Sequence, residues 1–219
     1  MTKRHYELLI FDWDGTLIDS EAKIVACMQS AMREVGLPIL EPAVIRNIIG
    51  LGMREALQAL FPEENGTTYE AMIDRYRYHF FTGDSSQPFA GVPEILAELA
   101  QQNYFMAVAT GKGRNGLNKA LQETGFKQWF HSTRCADETR SKPHPQMLEE
   151  ILDELGMEPK QALMIGDTEY DLQMANNAGM ASVAVTCGVH DVTRLMACEP
   201  QGCLQSLSEL LPWLYGLKT

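Results

Sequence analysis

The sequence has little cysteine, and the pattern of its cysteines disfavours the two structures that they most often build. Five cysteines occur in 219 residues, and no pair has the CxxC spacing. A disulfide framework and a zinc site are therefore both disfavoured. Reduced thiols are typical of intracellular proteins, so we predict a cytoplasmic location, with most cysteines acting as small buried side chains.

Positive charge is also scarce. Lys and Arg number 18 against 29 Asp and Glu, which gives a net charge of −11. A nucleic-acid partner is disfavoured, because binding the phosphate backbone requires a basic face. A small phosphorylated metabolite stays open as a partner, since local cations can outweigh distant charges that salt screens over ~10 Å.

Long apolar runs are missing as well. No stretch approaches the ~18–20 consecutive apolar residues of a membrane helix, so we expect no membrane partner. Lys3 and Arg4 precede a short apolar run that Asp12 soon interrupts. Because this segment has neither a long hydrophobic region nor a small-residue cleavage site, we predict no export signal.

Short apolar runs predict buried strands separated by helices. The strand candidates are 8–11, 105–109, 162–165 and 183–185, with a weaker one at 130–133. Helices are predicted at 93–101, 115–124, 145–155 and 169–178, and glycine follows the last three. This alternation predicts an α/β fold with a Rossmann-like parallel sheet core flanked by helices. Ligands bind such sheets at the carboxyl ends of the strands, where Asp12, Thr110 and Asp167 are expected.

A long insert separates the first two of these strands. Helical patterns occur at 20–35, 42–49, 53–60 and 68–81, and no strand pattern appears among them. We predict a discontinuous core, 1–18 and 88–219, with 19–87 as an inserted all-helical cap domain that acts as a lid. Four aromatic residues at helical spacing are expected to form the core of this cap: Tyr69, Tyr76, Phe80 and Phe81.

Two aspartates after the first predicted strand are the main candidates for catalysis. Asp12 and Asp14 lie two residues apart in the segment FDWDGTL, so at an extended strand end both carboxylates point the same way. Carboxylates that share a pocket repel, which favours one ionised nucleophile and one proton donor. An Asp-Gly turn with solvated carboxylates has the same letters, so the motif alone leaves both interpretations open.

Three further segments place polar residues near predicted strand ends or helix starts. The segment 110–113, TGKG, follows a strand and opens a helix, where a hydroxyl and backbone N–H groups can bind an anion. Lys142 precedes a proline at the approach to another helix. Asp167 and Asp171 share one face if a helix starts between them. Each segment taken alone has a simpler interpretation. The segment 110–113 could be a plain turn, Lys142 a solvated surface charge, and Asp167 and Asp171 acids that interact favourably with the helix dipole.

Together and in this order, the segments resemble the motifs of the haloacid dehalogenase-like hydrolase superfamily. The motifs are DxDGT at 12–16, a strand ending in Thr110, Lys142-Pro143 and GDTxxD at 166–171. The resemblance covers essentially the whole chain, and the helical insert is similar to the all-helical cap of that superfamily. The wording ATGK and GDTEYD resembles the phosphoglycolate phosphatase-like branch, which also contains β-phosphoglucomutases and pyrophosphatases.

The resemblance implies catalytic roles for residues of these motifs. Asp12 is expected to be the nucleophile, and Asp14 the general acid–base, whose backbone carbonyl also binds the metal ion. Thr110 and Lys142 are expected to hold the phosphoryl oxygens. Asp167 is expected to complete the Mg²⁺ shell together with Asp12.

The remaining candidates have supporting roles. Asp171 is expected to orient the lysine or a metal-bound water, and Thr16 belongs to the catalytic DxDGT motif. Gly111 and Lys112 are expected to bind substrate. Arg54 of the cap could bind a carboxylate or second phosphate of the substrate, although an exposed charge at a helix start is an equally good interpretation.

Electrostatics gives a separate reason to expect Mg²⁺. Two unit charges at 4 Å interact by ~4 kcal/mol at an effective dielectric near 20, and a carboxylate attacking a phosphate dianion meets roughly twice that repulsion. Mg²⁺ between Asp12 and a phosphate oxygen, together with Lys142, would offset the repulsion. The hard oxygen ligands suit Mg²⁺ better than zinc.

The sequence therefore predicts a Mg²⁺-dependent phosphatase that hydrolyses a small, phosphoglycolate-like phosphomonoester through an aspartyl-phosphate. The alternative is a phosphosugar mutase or pyrophosphatase of the same superfamily. A dehalogenase would leave Asp14 and the acids around Asp167 without a task. A receiver-like regulatory protein is disfavoured by the inserted cap and the second carboxylate. The oligomeric state and the substrate stay open.

Overall fold

The computed structural model describes residues 6–216. The predicted core boundaries also include residues 1–5 and 217–219, which lie outside the described residues. Within the described part, the strands are β1 (Leu8–Phe11), β2 (Ile18–Asp19), β3 (Gln87–Pro88), β4 (Phe105–Thr110), β5 (Ser132–Cys135), β6 (Ala162–Gly166), β7 (Ala181–Val185) and β8 (Gly202–Leu204). The α-helices are α1 (Glu21–Val35), α2 (Pro42–Arg46), α3 (Met53–Leu60), α4 (Gly66–Thr82), α5 (Val92–Gln101), α6 (Arg114–Thr124), α7 (Gln146–Leu155), α8 (Glu169–Asn177), α9 (Val192–Met196) and α10 (Leu210–Leu214).

Six of the described strands form one parallel sheet in the order β5-β4-β1-β6-β7-β8. The last residue of β1, Phe11, is in register with Val108 of β4 and with Ile165 of β6. The chain fills one side of β1 with β4 and β5, and then crosses to the other side to add β6, β7 and β8. Such a reversal opens a crevice at the carboxyl ends of the strands, where open α/β sheets bind ligands.

Helices cover both faces of the sheet, which explains the continuous apolar runs of its strands. Leu9 and Phe11 pack on one face with residues of α5 and α6, whereas Leu8 and Ile10 pack on the other with residues of α7. All four side chains are fully buried. Successive side chains of a strand point to opposite faces, so a strand covered on both faces needs apolar residues at every position.

Helices α1 to α4 form a helical unit inserted between β2 and β3. Met28 and Met32 of α1 pack with Leu57 of α3 and Met72 of α4, in a hydrophobic cluster that contains no residue of the parallel sheet. The short strands β2 and β3 pair antiparallel where the chain leaves the sheet and returns to it. The insert therefore has a core of its own and a two-stranded connection to the sheet.

The predicted fold class is confirmed, since the chain has an α/β fold with a flanked parallel sheet and a helical insert. The sequence pattern does not predict β2, β3 or β8, because runs of two or three residues give no periodic signal. The weak strand candidate at 130–133 lies two residues further on, as β5, and the helix predicted at 42–49 already ends at Arg46. Among the described helices, none has the length and apolar character needed to cross a membrane.

Candidate active site

Three polar side chains meet at the carboxyl edge of the sheet, because three neighbouring strands end there. Asp12 follows β1, Thr110 is the last residue of β4, and Asp167 follows β6. The Asp12 N–H donates to the Ile165 carbonyl at 2.9 Å, which extends the ladder between β1 and β6. The side chains of all three polar residues are buried. The fold thus brings distant parts of the sequence to one place, as predicted.

Lys142 supplies the positive charge of this cluster. Its Nζ donates to Asp12 Oδ1 and to Asp171 Oδ1, at 2.6 Å in each case. The other oxygen of Asp171 accepts from the Thr168 hydroxyl at 2.7 Å. Only 2% of Lys142 is exposed, so the interpretation of this residue as a solvated surface charge is wrong. A buried ammonium needs carboxylates beside it, and Asp171 holds the lysine in position against Asp12.

Burial dominates the electrostatics of these groups. It raises the pKa of the Asp12 carboxyl well above its usual range, while Lys142 acts in the opposite direction and Asp171 and Asp167 add to the rise. Burial, with a contribution from Asp171, also raises the pKa of Asp167 to about 7. Burial disfavours the charged form of Lys142, but Asp12 and Asp171 outweigh it and hold its pKa above the ordinary value. The acids that raise the pKa of Asp12 are thus Asp171 and Asp167, whereas the sequence argument expects Asp14.

Asp167 is fixed by two hydrogen bonds. It accepts from the Thr16 hydroxyl at 2.8 Å and from the Val189 N–H at 2.9 Å. Gly15 lies against it with a φ of +88°, and a Cβ atom at this position would be 2.3 Å from Asp167 Oδ2. The glycine and threonine of DxDGT are therefore required for packing around Asp167, as well as for the turn after β1.

Three acids form a buried cluster that fits a divalent metal ion. Ligand oxygens of Asp12, Asp167 and Asp171 lie within 4.8 Å of one another. Asp12 Oδ2 is buried and has no hydrogen-bond partner among the described residues. Carboxylate oxygens are hard ligands, which Mg²⁺ and Ca²⁺ prefer over nitrogen and sulfur. Three buried carboxylates beside a single lysine and the chemistry of the donors both fit a Mg²⁺ ion at this position.

Asp14 is not part of this acidic cluster and contacts a second lysine. Lys112 Nζ lies 2.7 Å from Asp14 Oδ2 and 2.8 Å from Oδ1, and the Ser20 hydroxyl donates to Oδ1 at 2.6 Å. The Lys112 N–H donates to the Thr110 hydroxyl oxygen at 3.1 Å. The predicted substrate-binding residue Lys112 therefore links Asp14 to the loop after β4.

A cavity of about 450 Å³ lies between the sheet edge and the helical insert. Asp12, Asp14 and Thr110 line it from the side of the sheet. The predicted substrate-binding residues also line it: Gly111, Lys112 and Arg54. The guanidinium of Arg54 forms an ion pair with Glu70, and both side chains are at least half exposed. Asp167, Lys142 and Asp171 lie behind this surface and do not line the cavity.

The aromatic residues of α4 occupy two environments, which corrects the prediction that they all form the core of the insert. Tyr69 is buried in that core and donates to the Phe61 carbonyl at 2.8 Å. Phe80 and Phe81 line the cavity instead, whereas Tyr76 lines the cavity and also packs against the insert core. Helical spacing shows which residues share a face, but the partner of that face depends on how the insert sits over the sheet.

The loop between α2 and α3 touches the sheet side of the cavity. The Gly52 N–H donates to the Ser141 hydroxyl oxygen at 2.7 Å. Gly111 lies so close to this loop that a Cβ atom would be 2.5 Å from the Leu51 carbonyl oxygen. The loop therefore closes one end of the cavity over the strand that ends in Thr110.

Sequence reasoning misses several groups that hold the site together. Ser20, just before α1, bonds to Asp14, although a serine in this place is ordinarily explained as a helix cap. Ser141 bonds to the insert loop, and Val189 contributes only its backbone N–H to Asp167. A backbone group leaves no trace in the sequence, so only the fold can reveal the last of these contacts.

The fold and the site define a protein with a Rossmann-like parallel sheet and a helical insert over a cluster of acids and a buried lysine. More narrowly, the chain belongs to the haloacid dehalogenase-like hydrolases, whose family model matches residues 9–185. A haloacid dehalogenase-like hydrolase from Bacteroides fragilis has the same fold, with a TM-score of 0.88 at 24% identity over 94% of this chain and 99% of that one.

Several curated relatives are phosphatases by name. The chain is 36% identical over 218 residues to the probable phosphatase IndB of Dickeya dadantii, and the alignment covers 96% of this chain and 94% of that protein. It is 30% identical over 195 residues to N-acetylmuramic acid 6-phosphate phosphatase of Pseudomonas aeruginosa, and the alignment covers 86% of this chain and 85% of that protein. It is 30% identical over 224 residues to phosphoglycolate phosphatase of Vibrio vulnificus, covering 96% and 97%. The predicted enzyme class, a phosphatase of this superfamily, is thereby confirmed.

Proposed function

We propose that this phosphatase hydrolyses the phosphomonoester of a small metabolite through an aspartyl-phosphate on Asp12. The observation that carries the proposal is the environment of Asp12 Oδ2. Three buried side-chain polar atoms within residues 6–216 lack a hydrogen-bond partner, and of their residues only Asp12 lines the cavity. An unpaired carboxylate oxygen beside a cavity is unfavourable for stability, and it is suited to attack an electrophile bound there.

The proposed reaction has two steps. In the first, a carboxylate oxygen of Asp12 bonds to phosphorus and the ester P–O bond breaks. Asp14, in its protonated form, gives its proton to the departing oxygen, which leaves as an alcohol. In the second, Asp14 takes a proton from a water molecule, whose oxygen attacks phosphorus and displaces the Asp12 carboxylate. Lys112, at 2.7 Å, stabilises the ionised form of Asp14 that this second step requires.

Lys142 and Thr110 are the proposed partners of the phosphoryl oxygens. An ammonium group has three N–H donors, and Asp12 and Asp171 take two of those on Lys142. The third has no hydrogen-bond partner among the described residues. Because Lys142 lies beside Asp12 and behind the cavity surface, it would reach a phosphoryl group only when that group is held at Asp12. The Thr110 hydroxyl accepts from the Lys112 N–H, so its own proton is free to donate. In this scheme Asp171 is a positioning residue, because it acts through Lys142.

A Mg²⁺ ion completes the proposal. Asp12 and Asp167 would hold it with the backbone carbonyl of Asp14, as the family resemblance implies, while Thr16 and Val189 fix Asp167. When bound, the ion supplies positive charge that lowers the repulsion between the Asp12 carboxylate and a phosphate dianion.

The proposal also includes the predicted domain boundaries, with a core at 1–18 and 88–219 and a cap at 19–87. The pairing of β2 with β3 supports them, because these strands lie where the chain passes between the two units. A cytoplasmic location is proposed as well. It is supported by the five cysteines, all of which are free thiols.

The direct test of the nucleophile is Asp12→Asn, which keeps the shape of the side chain and loses its attacking charge. With Mg²⁺ and a panel of phosphoglycolate, pyrophosphate, sugar phosphates and nucleotides, we expect turnover to fall by about 10⁴-fold or more. Asp153→Asn, an exposed acid of α7, is the matched control and should keep the parent rates. Substantial phosphate release by pure, folded Asp12→Asn would refute the assignment.

The same panel separates the proposed phosphatase from the two alternatives. A phosphosugar mutase would require a sugar bisphosphate for turnover and would return the phosphoryl group to the sugar. A pyrophosphatase would have its highest kcat/KM on pyrophosphate. Release of inorganic phosphate from monoesters without a bisphosphate activator is the result that the proposal predicts.

A further inference from the structure

The position of Asp14 determines where the leaving group of the substrate must lie. This inference rests on the proposed function, in which Asp14 protonates the departing oxygen. Two aromatic side chains of α4 reach the same place. The Lys112 ammonium that pairs with Asp14 lies 4.4 Å from the centre of the Phe80 ring. Tyr76 stacks on Phe80 and lines the same cavity as Asp14.

Tyr76 and Phe80 form a single aromatic surface on the cavity. Their ring centres are 5.7 Å apart, with an angle of 25° between the planes. A second ammonium, that of Lys23, lies 4.2 Å from the centre of the Phe80 ring. Contacts of this kind are attractive and hold the ring beside the two ammonium groups. The leaving group would therefore meet a preformed aromatic surface as soon as it extends beyond the departing oxygen.

The rest of the insert side of the cavity is largely apolar. Side chains from α1, α3, α4 and the connecting loop line it: Ile24, Met28, Ile49, Met53 and Ile73. The volume of about 450 Å³ lies within the range of roughly 300–1,000 Å³ that is typical of pockets for ligands much larger than a two-carbon acid.

The charges around the cavity disfavour a second anionic group on the substrate. Lys112 is paired with Asp14, and the exposed Arg54 is paired with Glu70. Among the described lining residues, Arg77 is the cation without an ion pair, and it is exposed. A carboxylate or a second phosphate of the substrate would thus lose its hydration in the cavity and find no buried, unpaired cation there. Such a transfer of a charge out of water is unfavourable in free energy.

We propose that the substrate is the phosphomonoester of an alcohol whose body carries an uncharged aromatic or similarly apolar ring, and that Phe80 and Tyr76 select it by packing against that ring. The aromatic pair is thereby a specificity determinant of the insert. Asp12 and Asp14 carry out the chemistry on any monoester that reaches them.

The test compares 2-phenylethyl phosphate with ethyl phosphate on the full chain with Mg²⁺. Both are esters of primary alcohols, so the chemistry at phosphorus is closely matched and the ring is the main difference. We expect kcat/KM to be about tenfold higher or more for the phenylethyl ester. Phe80→Leu should remove most of this advantage and leave ethyl phosphate within about threefold of the parent value. Phe80→Ala should do the same, and circular dichroism checks the fold of both variants.

Tyr78→Ala is the matched control, because Tyr78 lies on the same helix, is 53% exposed and does not line the cavity. Tyr78→Ala should leave kcat/KM unchanged for both esters. Equal kcat/KM for the two esters, or an equal loss on both in Phe80→Leu, would overturn the inference, as would a higher kcat/KM for phosphoglycolate or pyrophosphate. The results on the two esters and on phosphoglycolate leave the proposed function intact, whereas a higher kcat/KM for pyrophosphate, or failure to hydrolyse any monoester, would overturn the proposed function as well.

Discussion

In the proposed mechanism, Lys142 contributes both to the stability of the protein and to its chemistry. Its ammonium lies between Asp12 and Asp171, and all three side chains are essentially buried. Replacing it by Met keeps most of the volume but leaves two buried acids without their cation. Removal of one partner from a buried ion pair typically costs about 3–5 kcal/mol. We therefore expect Lys142→Met to lower the free energy of unfolding by about that amount and to abolish turnover.

Urea unfolding in the presence of a chelator measures this loss for the metal-free protein. Lys127→Met is the control, because Lys127 is exposed and makes no ion pair among the described residues. It should change the free energy of unfolding by less than about 0.5 kcal/mol. A loss of under about 1 kcal/mol in Lys142→Met would show that the buried acids do not depend on this lysine.

Asp167 is the residue on which the proposed Mg²⁺ dependence can be tested without an activity assay. Ligand binding to the native state stabilises it by about 2.7 kcal/mol at a concentration of 100 Kd. For a chain of this size, that corresponds to a rise in Tm of roughly 5–10 °C. We expect Mg²⁺ to raise the Tm of the parent protein and to have little effect on Asp167→Asn.

Asp74→Asn, an exposed acid of α4, should respond to Mg²⁺ as the parent does. Chelation should also stop turnover, and added Mg²⁺ should restore it. An equal rise in Tm in Asp167→Asn and the parent, or full activity after exhaustive chelation, would contradict the assignment of Asp167 to the metal site.

The amino-acid sequence predicts which residues take part in the reaction better than it predicts which side chains they contact. The DxDGT motif points to Asp12 and Asp14, but pairing Asp14 with Lys112 depends on a loop nearly a hundred residues later. Asp171 and Lys142 likewise become partners only after β6 is placed beside β1. Side-chain partners across the sheet depend on strand order, which no local pattern specifies.

The loop between α2 and α3 is one of the elements through which the insert contacts the site. This loop can approach Gly111 closely only because glycine lacks a Cβ atom. A Cβ atom at position 111 would lie 2.5 Å from the Leu51 carbonyl oxygen. Gly111→Ala should push the loop away and misplace the neighbouring Thr110. A misplacement of about 1 Å can cost ~10²-fold in rate, so we expect a loss of that order while the sheet stays folded.

Limited proteolysis of the insert and steady-state kinetics check this expectation together. Gly66→Ala is the control, since a Cβ atom there meets nothing within 4 Å. It should leave both measurements unchanged. If Gly111→Ala keeps the parent rate and the parent protease protection, the contact between loop and strand has no part in forming the site.

At the scale of elements, burial decides what the sequence can predict. β1, β4, β6 and β7 are covered on both faces and stand out as apolar runs. The edge strand β8 and the pair β2 and β3 are too short to show a period. The amphipathic face of α4 is evident from the sequence, yet its division between insert core and cavity follows from the placement of the whole insert.

At the scale of the whole molecule, the proposed phosphoryl-transfer site lies beneath the helical insert, which we propose selects the substrate. The sheet edge supplies the acids and the lysine, and the insert supplies the apolar and aromatic side of the cavity. The family motifs therefore predict the reaction, because they lie at or next to the carboxyl edge of the sheet. They say little about the substrate. The residues that would bind the rest of the substrate come from the helices of the insert, and the sequence pattern of those helices mainly shows how they pack against one another.

Trapping of the phosphoenzyme tests the central claim most directly. With an aryl phosphate, whose leaving group needs little protonation, Asp14→Ala should still form the aspartyl-phosphate but hydrolyse it ~10²–10⁴-fold more slowly than the parent. Rapid acid quench followed by mass spectrometry should then show one phosphoryl group on the peptide that contains Asp12, and none in Asp12→Asn. Turnover without phosphorylation of Asp12, or a parent protein that keeps its phosphoryl group for minutes, would contradict the account.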